Sequence, residues 1–366
     1  MKTVLLTGGT GFIGSHVVEA ILKQTDWNLT LLDRFDATST PHRIAQILEG
    51  HDEWRSRISF VYWDLKAPIN DFTKNKIGVP NYVLHLAAST HVDRSITDPT
   101  MFVMDNVVGT LNLLEWAKNA KEATSDWKFN EDGATKDYRK IEKFNYFSTD
   151  EVMGSAAEGV NYKETDTPRP ENPYAAAKLG GEALAHAFAC TYSMPIFITR
   201  TMNVFGERQH PEKFIPMSIA KINKGEINTI HANKDLTKAG SRYYIHARNV
   251  ANALIFLLQS NQPMLNKENR TEGIYNIVGE KELDNLQMVQ LLAQYVNEWQ
   301  TANSKTLTPL AYNLVDFHSS RPGHDLRYAL DGAKLKAAGF DYPKTLEESM
   351  KKMVEWYLTH PEWLMA

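Results

Sequence analysis

Short apolar runs alternate with segments of helical period through the first half of the chain. Lys2 to Thr7, Asn28 to Leu32, Ile58 to Tyr62, Tyr82 to Leu86 and Lys143 to Phe147 each read as a brief buried strand. Between them, Ser15 to Leu22 and the stretch from about Met101 to Lys118 carry apolar residues at helical spacing. Strands that alternate with helices predict a parallel sheet covered on both faces, with ligands at the carboxyl ends of its strands. Asn119 to Lys143, rich in Lys, Asp and Glu and containing Gly133, reads as a solvated excursion between a helix and a strand. After Arg200 the alternation becomes irregular, and loops such as Asn261 to Glu272 and Thr301 to Thr308 point to a smaller domain built from separate segments. The expected fold is α/β. A doubly wound parallel sheet of the Rossmann type fills residues 1–200 with a returning segment near 243–260. A smaller, discontinuous C-terminal α/β domain occupies most of residues 201–366 and carries the substrate side.

The first strand runs into a glycine-rich turn, Gly8-Gly9-Thr10-Gly11-Phe12-Ile13-Gly14, and then into a helical pattern. Glycines there let the backbone turn sharply and approach a pyrophosphate, which sits at the positive end of the helix. The second strand ends at Asp33, at about the 20-residue separation expected of an acid that binds a ribose 2′-hydroxyl. A carboxylate at that point repels a 2′-phosphate, so NAD is favoured over NADP, although Arg34 beside it works the other way. Asp64 and Leu65, and Leu86, Ala87 and Ala88, stand at the ends of later strands and therefore on the same ligand side.

Composition narrows the class of protein. The length of 366 residues corresponds to roughly two domains. A net charge of −4 argues against a nucleic-acid or anionic-membrane partner that depends on a basic field. The single cysteine, Cys190, excludes an intrachain disulfide and reads as a small buried hydrophobe. No apolar run approaches the roughly 20 residues that span a bilayer, and no basic n-region with a long apolar stretch opens the chain. The cytoplasm is the expected compartment. Neither cysteines nor the 12 histidines show a metal-binding spacing, so no metal is expected.

The densest chemistry follows the strand that ends near Phe147. Ser148, Thr149, Asp150 and Glu151 place two hydroxyls and two carboxyls in succession. Asn172 then offers an N-cap and Pro173 a first helical position, so a helix starts there and puts Tyr174 and Lys178 on the same face. An ammonium near a phenol favours phenolate and makes a base able to deprotonate a sugar hydroxyl while hydride leaves its carbon. Adjacent carboxyls in one site titrate as a pair, which allows one to be ionised while the other is protonated. By themselves Tyr174 and Lys178 fit an exposed helix face better, and a solvated turn is the alternative for Asp150 and Glu151. Their position behind a dinucleotide signature favours catalysis.

Taken together, the motifs resemble the extended short-chain dehydrogenases/reductases, and within them the nucleotide-sugar 4,6-dehydratases. The carrying stretches are TGGTGFIG (7–14), HLAA (85–88), HVDRSI (91–96), NVVGT (106–110), STDEV (148–152), YAAAK (174–178), NVFG (203–206), HPEKFIP (210–216) and RPGHD (321–325). The resemblance runs over nearly the whole chain and implies bound NAD, held by Gly8, Gly11, Phe12, Ile13, Gly14, Asp33, Asp64, Leu65, Leu86, Ala87, Ala88, Tyr174 and Lys178. It implies that Tyr174 deprotonates the sugar C4 hydroxyl with help from Thr149, that Glu151 removes the C5 proton, and that Asp150 protonates the departing C6 hydroxyl. A nucleotide-sugar substrate would contact Asn106, Asn203, Glu212, Lys213, Phe214, Arg242, Asn276, Arg321 and His324, and a homodimer would form through the helices over 101–118 and 174–191. Asp150 separates this reading from the UDP-glucuronate decarboxylases and 4-epimerases of the same fold, whose reactions expel no C6 hydroxyl. A non-catalytic NAD-sensing protein would be expected to lose Tyr174 or Lys178. Met153 stands where the family usually has tyrosine, and Ile230 to Ser241, near the base pocket in the family, lacks the usual Tyr-Gly-x-Gly turn, which leaves dTDP, UDP, CDP or another nucleotide open.

Overall fold

The computed structural model describes residues 1–36, 38–130, 133–316 and 326–365, with the backbone alone over the rest of 122–139. Seven strands make one sheet: β1 (Thr3–Thr7), β2 (Asn28–Asp33), β3 (Ile58–Tyr62), β4 (Tyr82–His85), β5 (Lys143–Thr149), β6 (Ile196–Thr201) and β7 (Ile274–Ile277). Their order is β7-β6-β5-β4-β1-β2-β3, and the pairings β1–β2, β2–β3, β1–β4 and β4–β5 are parallel. This is the doubly wound arrangement of a Rossmann fold, in which the strand order reverses between β1 and β4. The expected strands are therefore present, and two more close the sheet on the β5 side.

Helices α1 (Phe12–Gln24), α2 (Gly109–Asn119), α3 (Pro173–Tyr192), α4 (Phe214–Lys224), α5 (Ala247–Gln259), α6 (Asn285–Ala302) and α7 (Leu346–Thr359) are the longer ones. Two compact units emerge. The first comprises Met1–Ser148, Ala176–Arg200 and Leu254–Tyr275, and the second Thr149–Ala175, Thr201–Ala253 and Asn276–Ala366. The sequence-based boundaries assigned 149–175 to the nucleotide domain and placed the returning segment near 243–260, so the partition runs differently in detail. Each unit has its own apolar core. Leu5, Val83, Phe144, Tyr146, Leu113 and Ile196 belong to the first, and Phe205, Ile219, Val289, Leu292, Met350 and Tyr357 to the second. In the second unit a three-stranded sheet runs Glu282–Asp284, Ser241–His246, Asn203–Phe205, and a parallel pair joins Asn228–Ala232 to Tyr312–Asp316.

Two local expectations are corrected. The charged stretch after Asn119 is an antiparallel hairpin, Lys121–Asn130 with Gly133–Lys140, whose ladder shifts between Ala123 and Trp127. The physical signal was the alternation of Ala123, Trp127 and Phe129 with polar residues, which charge composition had masked. The helix expected over 101–118 is interrupted. Pro99–Val103 is α-helical, Met104–Val108 is a π turn, and α2 follows. A π turn inserts one extra residue into a helix and re-aims the side chains beside it.

Candidate active site

The glycine turn after β1 is shaped by contacts that no side chain tolerates. Gly8 has φ +72°, and a Cβ on it would lie 2.8 Å from the Ala87 backbone nitrogen. A Cβ on Gly14 would lie 2.1 Å from the Gly8 carbonyl oxygen. The ends of β1 and β4 are thereby packed backbone to backbone, with Leu86 N–H donating to the Thr7 carbonyl at 3.2 Å. Helix α1 starts at Phe12 from Gly11, which offers no side-chain cap, and its first turn contains no acid. Its leading N–H groups remain suited to a pyrophosphate.

Asp33 is buried and held in position. Thr10 Oγ1 donates to its Oδ2 at 2.6 Å, and the Arg34 N–H donates to Oδ1 at 2.9 Å. Ionised carboxylate oxygens keep further acceptor capacity, so ribose hydroxyls remain compatible with this geometry. The predicted strand-end residues Asp64, Leu65, Leu86, Ala87 and Ala88 all lie in the same unit as this turn. The donor set fits NAD.

His85 entered the sequence reading only as the first residue of the HLAA stretch, with no role of its own. Its Nδ1 is 2.8 Å from Thr7 Oγ1 and its Nε2 is 3.0 Å from Thr110 Oγ1. Thr110 donates its proton to the Asn106 carbonyl at 2.6 Å, so its oxygen receives the Nε2–H. Nδ1 then accepts from Thr7, whose oxygen accepts the Ala87 N–H at 3.2 Å. Complete burial and the Lys178 charge push the imidazole down to about 3, so it is a neutral link in this chain. Asn106, expected on the substrate, is itself buried and clamps Ser89. Its Oδ1 accepts the Ser89 N–H at 2.8 Å and its Nδ2 donates to the Ser89 carbonyl at 3.0 Å. Both faces of its amide are therefore committed to the loop after β4.

The catalytic candidates Thr149, Asp150, Glu151 and Tyr174 fall in the second unit and Lys178 in the first. Thr149 caps a short 3-10 turn, Asp150–Met153, and donates to Asp150 Oδ1 at 3.0 Å. Asp150 is buried and its Oδ2 has no hydrogen-bond partner among the described residues. Burial pushes this carboxyl up to about 6, against Thr149 and the Arg242 charge, which both favour ionisation. Burial, reinforced by the Asp150 charge, pushes Glu151 up to about 7, while Asn172, Arg242 and Lys213 pull it back. Asn172 holds two ends of the site. Its Oδ1 caps α3 by accepting the Ala175 N–H at 2.8 Å, and its Nδ2 donates to Glu151 Oε2 at 2.8 Å. The N-cap was legible from sequence; the tie to Glu151 was not.

One electrostatic expectation fails. Lys178 was expected to lower the Tyr174 phenol. Burial and the Glu151 and Asp150 charges instead push that phenol well above its ordinary value, with the Thr149 hydroxyl opposing them. Burial likewise pushes Lys178 down to about 7 despite the Glu182 charge. Its Nζ donates to the Phe147 carbonyl at 2.6 Å and lies 4.5 Å from the centre of the Tyr146 ring. Desolvation dominates both groups, because each is closed off from water.

Of the expected substrate residues, Asn203 is exposed at the start of its strand and Glu212 is exposed beside half-buried Lys213 and Phe214. Arg242 packs its guanidinium 4.7 Å from the Tyr328 ring centre and donates to the Ser241 and Leu326 carbonyls at 2.7 and 2.8 Å. Asn276 is fully buried, and its Nδ2 donates to the Tyr162 and Asp331 carbonyls, each at 3.1 Å, while its Oδ1 has no partner among the described residues. The Nδ2 ties were hidden from sequence because both carbonyls come from distant segments. Arg321 and His324 lie outside the described residues. Where the usual Tyr-Gly-x-Gly turn is absent, the Asn233 side chain closes the loop by accepting the Thr237 and Lys238 N–H groups at 2.8 and 3.0 Å. No cluster of metal ligands occurs among the described residues, and no helix there is long and apolar enough to cross a membrane.

Comparison with known proteins gives this geometry a context. The family model described as GDP-mannose 4,6 dehydratase matches residues 5–353. A dTDP-glucose 4,6-dehydratase of Shigella flexneri is 31% identical over 374 aligned residues, covering 99% of this chain and 94% of the relative. Among solved structures, the dTDP-glucose 4,6-dehydratase DesIV of Streptomyces venezuelae, crystallised with NAD, superposes with a TM-score of 0.77 at 27% identity over 99% of this chain and 98% of that one. A UDP-glucose 4-epimerase of Thermus thermophilus in complex with NAD gives a TM-score of 0.77 at 25% identity, covering 97% and 99% of the two chains. With a family match over nearly its full length and a relative above 30% identity, the chain belongs to the GDP-mannose 4,6-dehydratase family, within the extended short-chain dehydrogenases/reductases.

Proposed function

We propose that this chain is a hydro-lyase, an NAD-dependent nucleotide-sugar 4,6-dehydratase. It converts an NDP-hexose, with dTDP-glucose the first candidate, into the NDP-4-keto-6-deoxyhexose and water. The observation that carries this reading is the pair Asp150–Glu151, two desolvated carboxyls on consecutive residues beside Thr149. Expelling water across C5 and C6 requires a base at one carbon and an acid at the other; a 4-epimerase needs neither. The dTDP-glucose activity of the relatives supports the choice of first candidate.

NAD, held at the glycine turn and Asp33, would supply a hydride acceptor for C4 and a hydride donor for C6. The remaining work falls to the chain. Tyr174 Oη takes the proton of the C4 hydroxyl, and Thr149 Oγ1 hydrogen-bonds the same oxygen. The phenol is held protonated by its burial, so it yields its proton only beside a cationic neighbour. Lys178, four residues further along α3, supplies that charge in its protonated fraction, its own value being pushed down to about 7. The 4-ketone acidifies the C5 proton, which Glu151 removes, while Asp150 donates through Oδ2 to the departing C6 hydroxyl. Glu151 returns a proton to C5 as hydride reaches C6. The proton gained by Tyr174 leaves to solvent and Asp150 regains one from solvent, so the net change is hexose minus water.

With carboxyls titrating at about 6 and about 7, the pair carries one proton and one charge between those values. That proton belongs to the pair rather than to either residue. Arg242 favours the ionised form of both carboxyls, and Lys213 that of Glu151. In this reading Asn203, Glu212, Lys213, Phe214 and Arg242 hold the nucleotide portion, with guanidinium suited to phosphate. The protein works as a homodimer in the cytoplasm, where nucleotide sugars and NAD are both present. Val103, Met104 and Leu111 are exposed apolar residues on the helical stretch assigned to that contact, and light scattering tests the mass.

The direct test is mass spectrometry after separate incubation with dTDP-, UDP-, CDP- and GDP-hexoses and UDP-glucuronate. Loss of one water from a single donor, abolished by Asp150→Asn, is the expected result and names the base. Loss of carbon dioxide from UDP-glucuronate would establish a decarboxylase instead. No mass change with any donor would leave epimerisation or NAD sensing and end the dehydratase reading.

A further inference from the structure

Arg34 presents a conflict. Asp33 favours NAD, yet a guanidinium next to that position is a common way to receive the 2′-phosphate of NADP. In this chain each guanidinium nitrogen of Arg34 is already engaged. Nε donates to Asp36 Oδ2 at 2.7 Å, Nη1 to Asp105 Oδ1 at 2.8 Å and Nη2 to Asp105 Oδ2 at 3.1 Å. The Asp105 contact is a bidentate fork, the strongest geometry available to an arginine–carboxylate pair.

Asp105 is itself fixed from several sides. Its side chain is 5% exposed, Ser89 Oγ donates to its Oδ2 at 2.6 Å, and Lys66 Nζ lies 3.9 Å from its Oδ1. It sits in the π turn Met104–Val108, where the next residue, Asn106, grips the Ser89 backbone. The carboxylate that captures Arg34 is therefore placed by the same turn that shapes the loop after β4. A surface ion pair would compete poorly with a dianionic phosphate; a half-buried fork with a pre-positioned carboxylate competes well.

We propose that Asp105 is a specificity-determining residue: by holding Arg34 in a bidentate pair, it denies the guanidinium to a 2′-phosphate and fixes the preference for NAD over NADP. The inference rests on the NAD reading of the glycine turn and Asp33. It differs from a purely structural pairing of β2 with the π turn, because only the specificity role changes cofactor discrimination.

The experiment measures dissociation constants for NAD⁺ and NADP⁺ by titration calorimetry on the full chain freed of copurified nucleotide. It compares the wild type with Asp105→Asn, Arg34→Gln and the double variant. Asp105→Asn is expected to improve NADP⁺ binding relative to NAD⁺ by roughly tenfold, the value of one charge-assisted hydrogen bond. Arg34→Gln should leave the wild-type ratio in place, and the double variant should lose the gain. An unchanged ratio in a folded Asp105→Asn that still binds NAD⁺ would overturn the proposal. So would a gain that survives in the double variant, since it would come from a lost negative charge rather than a released arginine. If Asp105→Asn does not fold, Arg34→Gln decides: a roughly tenfold loss of NADP⁺ affinity would mean Arg34 was never withheld. A wild type that binds neither nucleotide would instead strike the underlying cofactor reading.

Discussion

Replacing Glu151 with glutamine should make the protein more stable at pH 8 while leaving its stability near pH 4 unchanged. The perturbation removes a carboxyl that the fold holds up to about 7 from an ordinary value of 4.5. A raised acid pKa means the folded state disfavours the charge. The protonated form carries no penalty below about pH 4.5, and the full penalty is reached once the pH has risen through about 7. The rise from 4.5 to about 7, at 1.36 kcal/mol per pH unit, gives at most about 3 kcal/mol. Glu151 retains partial exposure, and part of its shift comes from the Asp150 charge, so about 2–3 kcal/mol is the working figure. Asn172 Nδ2, which donates to Glu151 Oε2 at 2.8 Å, keeps an acceptor in the amide. For a chain of 366 residues, an unfolding entropy of about 0.8 kcal/mol/K converts this into a rise in Tm of about 3–4 °C. The assay is thermal unfolding followed by circular dichroism from pH 4 to 8.5, wild type and variant side by side. A variant Tm equal to or below wild type at pH 8, or a difference that grows toward acid, would refute the assignment of a desolvated carboxyl at this position. The same variant should lose dehydration, because stability and catalysis draw on the same strained charge.

Asp150→Asn should stop the loss of water while sparing nucleotide-sugar binding, which calorimetry with the identified donor and mass spectrometry check together. Gly14→Ala should weaken NAD binding by more than roughly tenfold and lower Tm, because its Cβ would lie 2.1 Å from the Gly8 carbonyl oxygen, a backbone atom that cannot step aside. Glu182→Gln should cost about 3–5 kcal/mol in denaturant unfolding, since it leaves a buried guanidinium without its charged partner. In the native pair Arg200 reaches Glu182 at 3.0 and 2.8 Å with both side chains nearly inaccessible. The double replacement Glu182→Leu with Arg200→Met should recover most of that loss, and failure to recover would place the cost in packing rather than charge.

The parts of this protein that depend on neighbours in sequence were legible in sequence. Strand period, the glycine turn, the acid at the end of β2, the N-cap at Asn172 and the run from Ser148 to Glu151 each follow from local rules of backbone freedom, capping and spacing. They gave the fold class and the chemistry in outline, and the resemblance carried by several such motifs gave the family. What tertiary structure decided involves residues far apart in the chain. Arg34 finds Asp105 across 71 positions, and Asn276 reaches Tyr162 across 114. No window of sequence contains both members of either pair, so the first looked like an available cation and the second like an available amide. Composition also misled where pairing mattered, as in the hairpin of Lys121–Asn130 with Gly133–Lys140. The charge states were the least legible. A carboxyl, a phenol and an ammonium have their usual affinities for protons in any sequence, and the loss of water around Asp150, Glu151, Tyr174 and Lys178, with the charges they hold on one another, moves them. Burial is a property of the folded chain, and it is burial that turns a row of ordinary side chains into an acid and a base.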